Sequence, residues 1–138
     1  MRYLGKIISA VALLASAGCV SSRDVSQSLF DQLLAHPSKF DGTAVVVVAY
    51  ANIEFEGNEL CGAPPGAPRN QRCIWLTYNE EPYETEQDLA RYDAIEEKWR
   101  AFHEKRVIVR GTFKLWGDGR FGLYPGEINR ITEVKLAP

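Results

Sequence analysis

Ala44-Val45-Val46-Val47-Val48-Ala49-Tyr50 is the stretch that decides the fold. Four consecutive valines are restricted at χ1 and favour the pleated conformation, so the run reads as a β-strand. A strand with one wet face alternates apolar and polar residues, and this one does not. Both faces must therefore be covered, one by a closed sheet and the other by a helix or loop. Phe40-Asp41-Gly42-Thr43 is the turn that launches it. The chain repeats the pattern in Phe102-His103-Glu104-Lys105-Arg106-Val107-Ile108-Val109-Arg110-Gly111. That repeat lays Val45, Val46 and Val47 on Val107, Ile108 and Val109. The pair reads as two strands of one small barrel.

Working outward to the N-terminus, residues 1–18 read as an export signal. Arg2 and Lys6 give a positive start, and Ile7–Ala17 is an apolar run too short to span a bilayer as a helix. Ser16-Ala17-Gly18-Cys19 resembles the lipobox of bacterial lipoproteins, whose cysteine receives diacylglycerol and becomes the new N-terminus. The usual lipobox carries Leu where Ser16 stands. The rival reading is Ala15-Ser16-Ala17, an A-x-A site whose cleavage would release a soluble periplasmic protein with a free Cys19 thiol. Cysteine parity favours the lipid. The three cysteines are Cys19, Cys61 and Cys73, and an unpaired thiol is unusual in an exported chain. Lipidation of Cys19 leaves Cys61 and Cys73 as one disulfide in an oxidising compartment. Val20 rather than Asp after the cysteine implies, by the same resemblance, the periplasmic face of the outer membrane.

Without residues 1–18 the chain keeps 120 of its 138 residues, and losing Arg2 and Lys6 takes the formal charge from −2 to −4. Residues 19–24 read as a tether and 25–138 as a single domain of ordinary size. A mildly acidic domain binds phosphates poorly, and export points the same way, so no nucleic-acid partner is expected.

Asp24 with Gln27, or Ser26, can cap a first helix whose apolar stripe is Val25, Leu29 and Leu33; Pro37 ends it near His36. After the valine strand, Ala51–Glu56 alternates with period two, and Gly57-Asn58 marks a turn or bulge before Glu59-Leu60-Cys61. Gly62–Arg72, with Pro64, Pro65 and Pro68, is a loop that a Cys61–Cys73 bridge would close. Cys73–Tyr78 is a strand with Ile74, Leu76 and Tyr78 on one face. Thr85-Glu86-Gln87-Asp88 has the form of a capping box, followed by a stripe of Leu89, Tyr92, Ile95, Trp99 and Phe102. The repeat strand then runs to Trp116, Gly117-Asp118-Gly119 is a hairpin turn, Arg120–Tyr124 returns, Pro125-Gly126 turns, and Glu127–Lys135 ends the sheet.

Helix, three strands, helix and two strands make a mainly β protein: a five-stranded OB-fold-like barrel with a helix between strands 3 and 4 and an extra N-terminal helix. In that fold the first and fourth strands are neighbours, as the repeat requires. Pro37-x-x-Phe40-Asp41-Gly42, Asn52–Asn58, Ile74-Trp75-Leu76 and Arg110-Gly111-Thr112-Phe113 resemble a widespread group of small bacterial proteins with an OB-like barrel, here in a lipoprotein form. The resemblance covers most of residues 29–134 and implies the fold without implying an activity. The two-cysteine proline loop departs from it.

No catalytic constellation emerges. His36 and His103 fall at predicted helix ends, where capping or a dipole contact accounts for them. Cys61 and Cys73 lack the spacing and partners of a zinc site, so neither a metal nor a cofactor is expected. Glu54 and Glu56 sit two apart on a strand and read as a wet face rather than a catalytic pair. Glu80, Glu81, Glu84, Glu86 and Asp88 read as a solvated helix start rather than a cation site. OB-folds that hold oligomers stack bases or sugars on exposed rings. Trp116 and Tyr124, flanking turns, and Trp75, on a strand, are the candidate binding surface. The sequence thus points to a membrane-anchored, non-enzymatic binding module of the cell envelope, contacting a protein or a polymer. The alternative is a small-ligand-binding protein or hydrolase with its site at the barrel mouth.

Overall fold

The computed structural model of the chain describes residues 22–54, 57–67, 72–80, 84–117 and 122–138. The expected export signal, Cys19, Glu56, Glu81 and positions 118–121 of the expected hairpin lie outside the described residues.

Helix α1 (Ser22–Ala35) and a 3-10 turn (Pro37–Phe40) precede strand β1 (Ala44–Glu54). Then follow β2 (Gly57–Cys61), β3 (Cys73–Leu76), helix α2 (Glu86–Arg100), β4 (Arg106–Leu115) and β5 (Gly126–Leu136). The strands close into a barrel in the order β1-β2-β3-β5-β4. Only β3 and β5 run parallel. This is the OB-fold-like barrel expected from the order of elements.

β1 is one long strand that serves two neighbours. Ala44–Tyr50 pairs with β4 and Tyr50–Glu54 with β2. The repeated valine segments are therefore antiparallel partners, with Val47 opposite Val109 and Ala49 opposite Val107. Val45, Val47, Ala49, Ala51 and Ile53 point inward to Leu60, Ile74, Leu76, Phe113 and Ile128. Burying each large side chain contributes about 1.5–3 kcal/mol. Val48, on the opposite face, is only 2% exposed, which is why the run cannot alternate.

Phe30 and Leu33 of α1 are fully buried in the same core. Pro37 stops α1 at Ala35, as its clash with a helical preceding residue requires. In α2, Thr85 Oγ1 accepts from the Asp88 N–H, and the Asp88 carboxylate accepts from the Thr85 N–H, completing the capping box. Trp99 is the buried residue of this helix, and Tyr78 stacks on it with centroids 4.6 Å apart. Leu89, read as part of the apolar stripe, is instead exposed, because α2 meets the barrel through its C-terminal half.

Two turns differ from the sequence reading. Glu54 pairs directly with Gly57, so Gly57-Asn58 belongs to β2 and does not form the turn. The strand that pairs back onto β4 is Gly126–Leu136, with Leu115 opposite Gly126, and positions 122–124 of the expected return lie outside any strand. Glycine is required there: a Cβ on Gly126 would collide with the Lys114 carbonyl and the Phe113 ring. β5 is irregular against β4, where Arg110 faces Glu133 and Thr112 faces Asn129. The intervening residues bulge over Gly111, whose Cβ would lie 2.7 Å from the Asn129 carbonyl.

Candidate functional site

The alternation of β2 and β3 decides which side chains leave the barrel. Leu60, Ile74 and Leu76 take the interior, so Glu59 and Trp75 face outward. The register places Asn52 opposite Glu59, Glu59 opposite Trp75, and Trp75 beside Glu127, one row across four strands. The adjacent row is Tyr50, Cys61 and Cys73. Cys61 and Cys73 form a disulfide with a Cα–Cα distance of 4.3 Å, at the short end of what such a bridge accepts. It pins the mouth of the proline loop.

The β4–β5 connection adds the rings. The Trp116 N–H donates to the Pro125 carbonyl at 3.1 Å, and Gly122 adopts a left-handed φ of 70°. Trp116 and Tyr124 thereby fold back onto Trp75. Ring centroids lie 6.4 Å apart for Trp75–Trp116, 5.4 Å for Trp75–Tyr124 and 6.1 Å for Trp116–Tyr124. The three residues singled out in the sequence form one half-buried cluster. Trp75–Tyr124 and Trp116–Tyr124 pack edge to face, and the Trp75 and Trp116 planes are tilted by 40°. The three rings make one contiguous aromatic platform.

Glu59 anchors the platform. The Tyr124 hydroxyl donates to its Oε1, and Asn52 Nδ2 donates to its Oε2 at 3.2 Å. Burial, and then the hydrogen bond to Glu59, push the Tyr124 phenol above its ordinary value. A carboxylate offers about four acceptor positions, so Glu59 keeps capacity toward a ligand. Glu127, at the other end of the row, accepts from Thr77 Oγ1 at 2.6 Å and Asn129 Nδ2 at 3.1 Å. The face thus combines apolar ring surface with carboxylate acceptors.

The other candidates lie elsewhere. His36 is exposed. His103 is half-buried, and its Nδ1 accepts the Ile53 N–H at 3.1 Å. It is a backbone acceptor for the end of β1 rather than a solvated cap. Glu54 is exposed. Asp88 is committed to the helix cap, and hydrogen bonds from Thr85 and Glu84 hold its carboxyl below the ordinary range. Glu80 Oε1 accepts the Arg130 N–H at 3.1 Å. Among the described residues one group of three potential metal ligands lies close together, Glu59, Cys61 and Cys73. Two of its donors are joined in the disulfide, so it offers a metal one carboxylate and no thiolate. Among the described residues no helix is long and apolar enough to cross a membrane.

No known protein family, curated protein or solved structure matches this chain. Its site is therefore read from its own geometry. Asn52, Glu59 and Glu127 were not singled out from the sequence, although a signal for Glu59 was there. Once Cys61 is paired with Cys73 across antiparallel strands, a step of two residues sets Glu59 against Trp75.

Proposed function

We propose that this protein is a non-enzymatic binding module of the cell envelope that holds a hydroxyl-rich glycan on the Trp75–Trp116–Tyr124 platform. The observation that carries the reading is the contact of these three rings above the Asn52–Glu59–Trp75 row. That row lies on the face formed by strands 2 and 3, with the β4–β5 loop beside it. OB-folds take oligosaccharides and oligonucleotides on this face and with this loop.

Charge chooses between those two ligand classes. Phosphates are anionic acceptors, and here they would meet the carboxylates of Glu59 and Glu127 in a domain of formal charge −4 once residues 1–18 are removed. Sugars supply hydroxyl donors for those carboxylates and C–H faces for the rings. The barrel interior offers no competing site on its axis, since Leu60, Ile74, Phe113 and Ile128 fill it without exposure. A lipid on Cys19 would hold the module at the periplasmic face of the outer membrane, within reach of the wall polymer. The resemblance of Ser16-Ala17-Gly18-Cys19 to a lipobox supports that placement.

Sedimentation with purified cell-wall glycan tests the reading. The wild type should pellet with the polymer, and the Trp75→Ala/Trp116→Ala variant should stay in the supernatant. Wild-type protein that remains in the supernatant would overturn it.

A further inference from the structure

A second site lies between α2 and the β5 bulge. A cavity of about 280 Å³ is lined by the chain leaving β3 (Asn79, Glu80), by Arg91 and Ile95 of α2, and by Arg130 and Ile131 of β5. That volume is at the small end of ligand sites, enough for a ligand of a few heavy atoms and no polymer.

Two features of its wall are costly to the protein alone. Asn79 Nδ2 is buried and has no acceptor, so its desolvation is uncompensated. Arg130 adopts φ 47°, a left-handed conformation in which a residue with a Cβ is strained. That conformation turns the Arg130 N–H to Glu80 Oε1 and leaves its side chain on the cavity wall. None of the ion pairs among the described residues involves Arg130. Arg91 stands at the rim, paired with Asp88 at 3.3 Å. Arg130 and Arg91 line the same cavity as Asn79, and the one carboxylate among its described lining residues, Glu80, is already hydrogen-bonded to the bulge. Ile95 and Ile131 provide the apolar walls.

We infer that this cavity binds a small carboxylate with a short branched apolar chain. The carboxylate sits on Arg130 and Asn79 Nδ2, with Arg91 closing the rim and the chain lying against Ile95 and Ile131. The planar guanidinium suits a carboxylate, and the ligand supplies the acceptor that Asn79 lacks. The site is independent of the aromatic platform.

The test is an NMR titration of the full chain with isovalerate, and in parallel with isovaleramide, its uncharged isostere. Isovalerate should move the Asn79 side-chain amide signals in a saturable way, with a midpoint in the millimolar range; isovaleramide should not. Arg130→Gln should weaken binding at least about tenfold, as losing a charged hydrogen bond does. In Asn79→Ala, read at the backbone amide of Ile131, isovalerate binding should weaken at least about tenfold, while the melting temperature stays unchanged or rises because the orphan donor is gone. Failure of isovalerate to saturate, an equal response to the amide, or unaltered binding in Arg130→Gln would each overturn the inference.

Discussion

Glu59 stands directly opposite Trp75 across the β2–β3 ladder, and Tyr124 reaches over from the β4–β5 loop to donate its hydroxyl to the Glu59 carboxylate. One side chain thus ties the Tyr124 ring, and with it the loop, to the strands beneath. Removing Glu59 leaves Tyr124 and Asn52 without their acceptor. Glu59→Ala is expected to cost about 1–3 kcal/mol in urea unfolding. The loss should shrink when introduced into Tyr124→Phe, since the two residues share the interaction. Equal losses in both backgrounds would mean that the two are not coupled.

Two phenols should resist alkali. Burial and a hydrogen bond to Glu96 raise Tyr78, and burial and a hydrogen bond to Glu59 raise Tyr124. Unfolded tyrosines ionise near about pH 10. Above that pH the unfolded chain releases protons that the folded one retains. The contribution of these phenols to stability is therefore whole below about pH 10 and is lost as the pH climbs beyond it. Ultraviolet titration of the folded protein should show the Tyr78 and Tyr124 phenols ionising only as the protein unfolds. Ionisation of both at about pH 10 in the still-folded protein would contradict this.

The Cys61–Cys73 bridge closes a ring with a sequence separation of 12 residues, worth roughly 3 kcal/mol on the chain-entropy model. The Cys61→Ser/Cys73→Ser variant should lose a few kcal/mol at most and keep its barrel. The loop between the two positions should become the first site of proteolysis. Complete unfolding of the variant at room temperature would show that the bridge, and not the core, holds the fold.

The barrel was legible because its strands announce themselves. The valine run and its repeat specify two neighbouring, doubly covered strands, and Thr85 with Asp88 marks the start of α2. Turns were less legible. Gly57-Asn58 carries turn chemistry in isolation, yet the pairing of Glu54 with Gly57 draws it into β2, and the pairing of Leu115 with Gly126 starts β5 after Tyr124. The site was half legible: Trp75, Trp116 and Tyr124 stand out by type, and only the fold shows that they touch. Glu59 and Glu127 became visible through register, a property of strand pairing that composition does not hold. His103 looked like a helix end because its partner, the Ile53 N–H, lies 50 residues away.

Anchoring at Cys19 makes its own prediction. Metabolic labelling with a radioactive fatty acid should mark the wild type and not Cys19→Ser, and the variant should accumulate as an unprocessed precursor. An unlabelled wild type recovered in the soluble periplasmic fraction would favour cleavage after Ala17.

The central claim is that Trp75 and Trp116 carry the ligand while Trp99 belongs to the core. These are the three tryptophans of the chain, so the indole N–H signals of the labelled protein separate the two roles. Titration with a β-1,4-linked N-acetylglucosamine tetramer should move the Trp75 and Trp116 signals to saturation and leave Trp99, 4% exposed, in place. In Trp75→Ala the midpoint for Trp116 should rise at least about tenfold, the loss expected of a ring at the centre of an interface. Indole signals that stay unmoved throughout the titration, or that shift only at Trp99, would contradict the account.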